Sequence, residues 1–510
     1  MDILSNLALG AQSALTAEAL LFCFIGVFTG TFVGALPGIG PLVAISVALP
    51  LTFGLDPTVA LIMLAGIFYG AQYGGSITAI LLNLPGTAST AVTALDGYPM
   101  TKNGRPGLAL FVNAIASFAG GSVAILLVMG FAPIIGKVAL GFNSTEYFSV
   151  MLLGLVAAST LSNGSTIKSL IMVVFGLMLG LVGMDPNSGV PRFTFGFMNL
   201  YDGVSLIAVA MGLFGVAEII TKMATPTAQG PKPNTEHISM RSMLPTREEA
   251  KQLWKPILRG SSLGSIIGAL PGAGPSISSF MAYAMEKKVS REPEKFGTGV
   301  VGGVAAPESA NNASVQSAFI PTLSLGIPGD VVMAVLLGAM MMHGVTPGPQ
   351  FITNEPAMFW GLIVSFWVGN LILLVLNIPL IGLFVKIMIV PSRILYPTVI
   401  FFICMGSYSV SNSVFNVLVT LIFGIVGYVL IRFRFHPAPV LLGFILGPMM
   451  EENLRRSLVV SRGDITVFFD RPVSIALLSL ALLLILLPLV KWVCINGYKR
   501  YKGMYEIRSR

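Results

Sequence analysis

The octapeptide Gly34–Pro41, GALPGIGP, recurs at Gly268–Pro275 as GALPGAGP, changed only at Ile39 and Ala273. Both copies stand beside strongly apolar sequence. Proline removes a backbone donor and clashes with the preceding helical turn, while glycine accepts positive φ, so neither copy can continue a helix. A chain of this kind must therefore fold from apolar helices broken twice by the same word. In hydrocarbon an exposed broken backbone costs several kcal/mol per unsatisfied group, so each break must be enclosed by protein or line a wet cavity.

Composition makes the bilayer the solvent. Of 510 residues, 55% are hydrophobic and 10% charged, with a mean hydropathy of +0.85, whereas soluble domains carry about 25% charged residues. A crossing needs about 20 apolar residues. Runs of this kind occur at Ala19–Gly34, Gly107–Gly130, Ile167–Met184, Val204–Ile220, Trp360–Leu380, Val414–Ile431 and Val473–Val493. A membrane β-barrel would show short alternating segments instead. The expected fold is an all-α polytopic membrane protein of about 10–12 transmembrane helices.

The stretch from Met1 to Leu20 holds Asp2 and Glu18 but no Lys or Arg, so the first apolar run is expected to stay as a membrane helix. Cys23, Cys404 and Cys494 lack ligand or disulfide spacing and read as packing residues. The net charge of +8 sits largely in loops, as the positive-inside rule requires, and calls for no nucleic acid.

The longest polar interval, about Thr221 to Leu258, divides the chain. We expect a first transmembrane repeat at 1–222, a basic cytoplasmic connector at 223–256, a second repeat at 257–470, and a final helix with a basic cytoplasmic tail at 471–510. The connector ends in PTREEAKQLW, which reads as a short amphipathic surface helix with a capping box between Thr246 and Glu249.

The halves share a second element. YGGSITAILLNLPGTAS follows the first octapeptide and VQSAFIPTLSLGIPGDVV follows the second. The octapeptides are offset by 234 in the numbering (268 − 34), and Pro85–Gly86 is offset from Pro328–Gly329 by 243 (328 − 85). An insertion of nine reconciles the two, which points to internal duplication, the usual construction of secondary transporters. Counting the words as full crossings gives six per half and parallel repeats. Re-entrant hairpins change the parity, and inversion is the reading we favour.

Freed N–H groups and the positive end of a following half-helix suit a carboxylate, while freed carbonyls suit Na⁺. The substrate-binding candidates in the words are Pro37, Gly38 and Gly40 with Pro271, Gly272, Gly274 and Ser276. The second elements add Asn83, Pro85, Gly86, Thr87, Pro328 and Gly329, and the stretch PESANNA adds Asn311 and Asn312. Glu308 and Asp330 are the carboxylates for ion coupling, with Asn83 and Asn312 as oxygen donors for Na⁺. The plainer alternatives are tight turns or proline kinks for the words, and helix caps at an interface for the two carboxylates.

No catalytic residue or metal motif emerges. His237, His343 and His436 are too dispersed for metal ligation, and no GxxxxGK[ST] phosphate loop is present. Leu454–Ser457, beside Glu451 and Glu452, reads as a surface charge cluster at a helix start.

The ordered set GALPGIGP, YGGSITAILLNLPGTASTAVTALDGYPM, PESANNA, GIPGD, MMHGVTPGP and LLGFILGPMMEENLRRSL resembles the large membrane subunit of the tripartite tricarboxylate transporters. The matches run from about Phe32 to Asp464. The family's glycine/proline motifs fall on Gly34–Pro41, Asn83–Gly86, Gly268–Pro275 and Ile327–Gly329. The resemblance implies a solute-conducting subunit in the bacterial inner membrane, beside a small membrane subunit. A periplasmic solute-binding protein would deliver a carboxylate such as citrate. It also implies secondary uptake on an ion gradient, with Na⁺ favoured over H⁺ and no other cofactor. The rivals are a stand-alone carboxylate exporter or antiporter, a membrane-embedded lipid-modifying enzyme, and a purely structural subunit.

Overall fold

The computed structural model describes residues 3–36, 40–161, 165–185, 187–224, 240–272, 274–382 and 392–486. Pro37 and Gly38, most of the connector, the end of the last helix and the basic tail lie outside them. The described chain is helical apart from one antiparallel ribbon, Gly183–Met184 with Pro191–Arg192, in register Gly183 to Arg192. Six helices among the described residues are long and apolar enough to cross a membrane: Ala17–Gly34, Pro57–Leu82, Pro106–Ala139, Leu206–Ala224, Pro356–Asn377 and Val414–Arg432. Shorter apolar helices include Pro41–Thr52, Thr166–Gly180, Val331–Met342 and Pro472–Leu486. The chain is a multi-pass membrane protein.

Two expectations change in detail. The apolar run Ile167–Met184 is helical only to Gly180, because Gly183–Met184 enters the ribbon. The connector's last segment is not a short surface helix. Its Thr246–Glu249 capping box starts a helix that continues to Gly268, across the boundary at 256. Apolar side chains beyond Lys255 carry it directly into the bundle.

Glycine ladders explain how the core closes. In helix Ala17–Gly34, an added Cβ at Gly26, Gly30 or Gly34 would run into the backbone of Met63, Ile67 or Ala71 on helix Pro57–Leu82. In helix Arg247–Gly268, a Cβ at Gly260, Gly264 or Gly268 would meet the backbone of Ala306, Ala310 or Ser314. Such small-residue stripes let helices pack backbone to backbone in a membrane. The ladders are 234 apart in the numbering (260 − 26) and their partners 243 apart (306 − 63), matching the two offsets of the Pro-Gly words.

In both pairs the contacts ascend together, so the two helices run parallel. The chain must therefore turn back between them. Residues 41–52 return after the first octapeptide and Gly274–Val289 after the second. The second return arm is tied to its outgoing arm by a bidentate ion pair, Arg259 Nη2 to Glu286 Oε1 at 2.6 Å and Nε to Oε2 at 2.8 Å. Each octapeptide thus joins the two arms of a hairpin.

The hairpins enter from opposite faces. On the connector face, Arg105 pairs with Glu249 at 2.5 Å and Asn103 Nδ2 donates to Thr298 O at 3.2 Å. This joins the end of helix Ala94–Lys102 to the root of the second hairpin. Buried Asp96 locks the same junction: Oδ1 accepts N–H groups of Gly297, Gly299 and Val300, and Oδ2 accepts the Tyr283 hydroxyl. On the far face, Thr52 Oγ1 and His343 Nε2 are 3.0 Å apart, which joins the root of the first hairpin to the end of helix Val331–Met342.

The far face also carries the charge cluster at Leu454–Ser457. It stands near the end, not the start, of helix Ala438–Val460. Arg192 and Arg455 both pair with Glu451 at 2.7 Å, and Arg455 reaches Asp185 at 3.2 Å, which pins the ribbon to this helix. The Asn187 N–H, with Arg455 and Arg192 nearby, holds the Asp185 carboxyl below its ordinary range.

Candidate functional site

Both broken words arrive at one cavity of about 550 Å³. That size lies within the ordinary range for small-molecule sites, about 300–1,000 Å³. The first half contributes Gly40, Pro41, Gln72, Pro85, Gly86, Thr87 and Ser89, and the second contributes Gly272, Gly274, Pro275, Ser276 and Asp330.

Local chemistry sets the geometry. In the first half, helix Pro57–Leu82 ends at Asn83, which takes the left-handed C-cap conformation (φ 57°). In the second, Gly326 does the same for helix Phe319–Leu325 (φ 70°), again at an offset of 243 (326 − 83). After each cap the chain doubles back into the bundle. Gly86 N donates to Gly75 O at 3.3 Å, and Gly329 N donates to Thr322 Oγ1 at 3.3 Å. Each returning Pro-Gly element meets the octapeptide of its own half. Gly86 packs against the Gly34 carbonyl, and Gly272 N donates to Gly329 O at 2.7 Å.

Two helix N-termini open on the cavity. Helix Pro41–Ala48 has Gly40 as its N-cap with no side-chain cap, and helix Gly274–Val289 starts at the second word. The N–H groups of a first helical turn have no intrahelical acceptor and carry the positive end of the helix dipole. Ser276 adds a hydroxyl. Gln72 is fixed by its Oε1, which accepts from Thr87 Oγ1 at 3.1 Å and Ser89 Oγ at 2.9 Å. Its Nε2 has no protein acceptor among the described residues.

A third helix N-terminus at the cavity is already satisfied. Asp330 caps helix Val331–Met342, its Oδ1 accepting from Met333 N at 2.8 Å. Asp330 therefore fulfils the plainer reading, a helix cap, while also lining the cavity.

Three ionisable residues missed from sequence also line the cavity: Glu218, Lys222 and His436. Lys222 and Glu218 form an i,i+4 pair at 3.4 Å. They come after a π-helical segment, Met211–Val216, whose Phe214 also faces the cavity. An extra residue in a helical turn re-aims the side chains beyond it. Apolar sequence gives no sign of that turn, and the i,i+4 charge pair is the one available clue.

Other sequence candidates stand elsewhere. Asn83 is exposed and outside the lining, and Pro271, Pro328 and Gly329 support the tips without facing the cavity. Asn311 and Asn312 lie on helix Val301–Ser317, which is buried along its length. Asn312 Nδ2 donates to Glu308 O at 3.2 Å.

Glu308 is the centre of a separate polar cluster. It is completely buried. Oε1 accepts from Ser76 Oγ at 2.7 Å and from Thr93 Oγ1, and Oε2 accepts from Ser117 Oγ at 3.3 Å. No Lys, Arg or His pairs with it among the described residues. The Asn311 amide lies beside the carboxylate without a well-formed hydrogen bond, leaving its Oδ1 and Nδ2 without partners. Ser76 is one helical turn from Gln72, so this cluster adjoins the cavity wall.

The family model described as the tripartite tricarboxylate transporter TctA family matches residues 20–442. The chain is 48% identical over 492 residues to an uncharacterised 52.8 kDa protein of the TAR-I ttuC′ 3′ region of Agrobacterium vitis, covering 96% of this chain and 97% of that one. It is also 52% identical over 227 residues to an uncharacterised protein of the TAR-II ttuC′ 3′ region of the same organism, covering 44% of this chain and 94% of that one. With its paired hairpins around one cavity and a family match across most of its length, the chain belongs to the TctA family of tripartite tricarboxylate transporters.

Proposed function

We propose that this chain conducts di- and tricarboxylates, such as citrate, across the bacterial inner membrane. In this reading a periplasmic binding protein delivers the anion, a small membrane subunit stands alongside, and an inward Na⁺ gradient drives uptake. The chain acts as a transporter and not as an enzyme. The observation that carries the reading is the meeting of two helix N-termini, one from each half, at a single cavity. Their N–H groups and dipoles, with Ser276, Gln72 Nε2 and Lys222, supply donors and positive potential for separate carboxylates of one solute.

The halves are then inverted copies. The support is the pair of offsets, 234 and 243 in the numbering, shared by the words, ladders and left-handed caps, together with hairpin roots on opposite faces. Alternating access would move the hairpin tips relative to the ladders that hold them. The basic connector face is the cytoplasmic one, and the cavity extends towards it at Lys222 and His436.

Na⁺ is assigned to the Glu308 cluster. A buried carboxylate without a cationic partner is costly unless compensated. A small cation beside Glu308, Asn311 Oδ1 and the hydroxyls of Ser76, Thr93 and Ser117 would compensate it with hard oxygen ligands of the kind Na⁺ takes.

Uptake of labelled citrate and succinate tests the whole reading. Cells without their own carboxylate importers would express this chain, the small subunit and the binding protein, each omitted in turn, in Na⁺ or choline. Uptake that requires this chain and the binding protein and collapses in choline is the expected result. Uptake without the binding protein would favour a stand-alone transporter. Uptake that persists in choline but stops with a protonophore would replace Na⁺ by H⁺.

A further inference from the structure

A second cavity, of about 570 Å³, opens beside the first and shares His436 with it. Its lining includes Ser165, Lys168, Arg434, Phe435 and His436, and no Asp or Glu among the described residues. Lys168 Nζ donates to Phe433 O at 2.8 Å and sits 4.5 Å from the Phe435 ring centroid. Arg434 and His436 form no ion pair with any described residue. Three groups able to carry positive charge therefore face one space with no carboxylate in its lining among the described residues.

The surroundings say what kind of anion fits. Helix Thr166–Gly180 begins at this cavity and helix Val414–Arg432 ends at it. Leading away from it, the first helix exposes Ile167, Ile171, Val174 and Met178, and the second exposes Leu418, Ile422, Ile425 and Val429. Both sets have i, i+4, i+7, i+11 spacing, so each forms one straight apolar stripe. In a multi-pass membrane protein those stripes face acyl chains. The cavity stands at their polar end, on the basic face of the molecule.

We infer that this cavity holds the phosphate of an anionic phospholipid, with its acyl chains lying along the two stripes. Basic pockets between helices on the positively charged side of a membrane recognise such headgroups. A free solute anion would meet the same cations but would leave the stripes unused. The shared His436 places the lipid phosphate against the wall of the first cavity. The inference does not depend on what that first cavity transports.

Lipid retention tests it. The full-length chain would be placed in nanodiscs of equal phosphatidylglycerol and phosphatidylcholine, extracted, washed in detergent and assayed for retained lipid by mass spectrometry. The wild type is expected to retain phosphatidylglycerol preferentially. Arg434→Gln, which removes a charge without touching the Lys168–Phe433 hydrogen bond, is expected to lower that preference about fivefold. Adding Lys168→Gln is expected to lower it about 25-fold in all. Unchanged retention in a folded double variant would overturn the site. So would equal retention of the two lipids by the wild type. Inorganic phosphate binding at this cavity without phosphatidylglycerol retention would identify a free-anion site and overturn the lipid.

Discussion

Replacing Glu308 by glutamine is expected to reduce Na⁺-driven carboxylate uptake by about 100-fold or more. Breaking a buried charge pair by removing one member costs roughly 3–5 kcal/mol, and each 1.4 kcal/mol is about tenfold in an equilibrium. Glutamine keeps the volume and one carbonyl acceptor for the hydroxyls of Ser76 and Thr93, so the helix Val301–Ser317 should still pack. What it loses is the charge. Glu308→Ala is a harsher change, because it leaves two buried hydroxyls, those of Thr93 and Ser117, without their acceptor at about 1–3 kcal/mol each. That variant should also accumulate poorly in the membrane. The decisive readout is the Na⁺ titration of uptake: Glu308→Gln should abolish it, and Glu308→Asp should shift it to higher Na⁺. A glutamine variant with wild-type Na⁺ dependence would remove Glu308 from coupling.

Gly264→Leu is expected to abolish folded protein. An added Cβ would stand 2.6 Å from the Ala310 Cα and closer still to its carbonyl oxygen. Those are backbone atoms of a buried helix, which cannot rotate aside. Overpacking a core typically costs about 1–3 kcal/mol and occasionally more, against a total stability of about 5–15 kcal/mol. Here the whole Arg247–Gly268 helix would have to separate from Val301–Ser317, the helix that carries Glu308. Gly30→Leu should behave alike, since Gly30 meets Ile67 in the matching place. Gly130→Ala is the control, because nothing lies within 4 Å of its Cβ position. Fluorescence-detected size exclusion with a thermal ramp would read all three. A monodisperse Gly264→Leu protein melting with the wild type would refute backbone contact along this seam.

Much of this is legible in the chain because proline and glycine act locally. The octapeptides and Pro85–Gly86 stand out as breaks, and the shared offsets expose their pairing. Placement of side chains is less legible. Asn83 resembles a ligand, but its short polar side chain suits the left-handed cap that ends helix Pro57–Leu82. Helix Pro57–Leu82 itself is hard to see as an apolar run, because Gln72, Tyr73 and four glycines dilute it although every residue from Val59 to Leu82 is buried. Lys222 and His436 belong to segments far from the words, and only the tertiary fold brings them to the cavity. The connector helix reads too short for a similar reason: its polar start resembles a surface helix, and its apolar continuation resembles the next crossing.

The most direct measurement is carboxylate uptake by Ser276→Asp beside Ser276→Ala, in cells carrying all three subunits. Ser276 stands in the first turn of helix Gly274–Val289 and faces the cavity. An aspartate there suits the helix dipole and should not weaken the fold, yet it places a negative charge where a substrate carboxylate would bind. With equal membrane abundance and equal melting temperature, Ser276→Ala should retain uptake within a few-fold of wild type. Ser276→Asp should lose it by about 100-fold, the scale of a close like-charge contact of several kcal/mol. Wild-type uptake by Ser276→Asp would mean that the anion does not bind where the two hairpin tips meet.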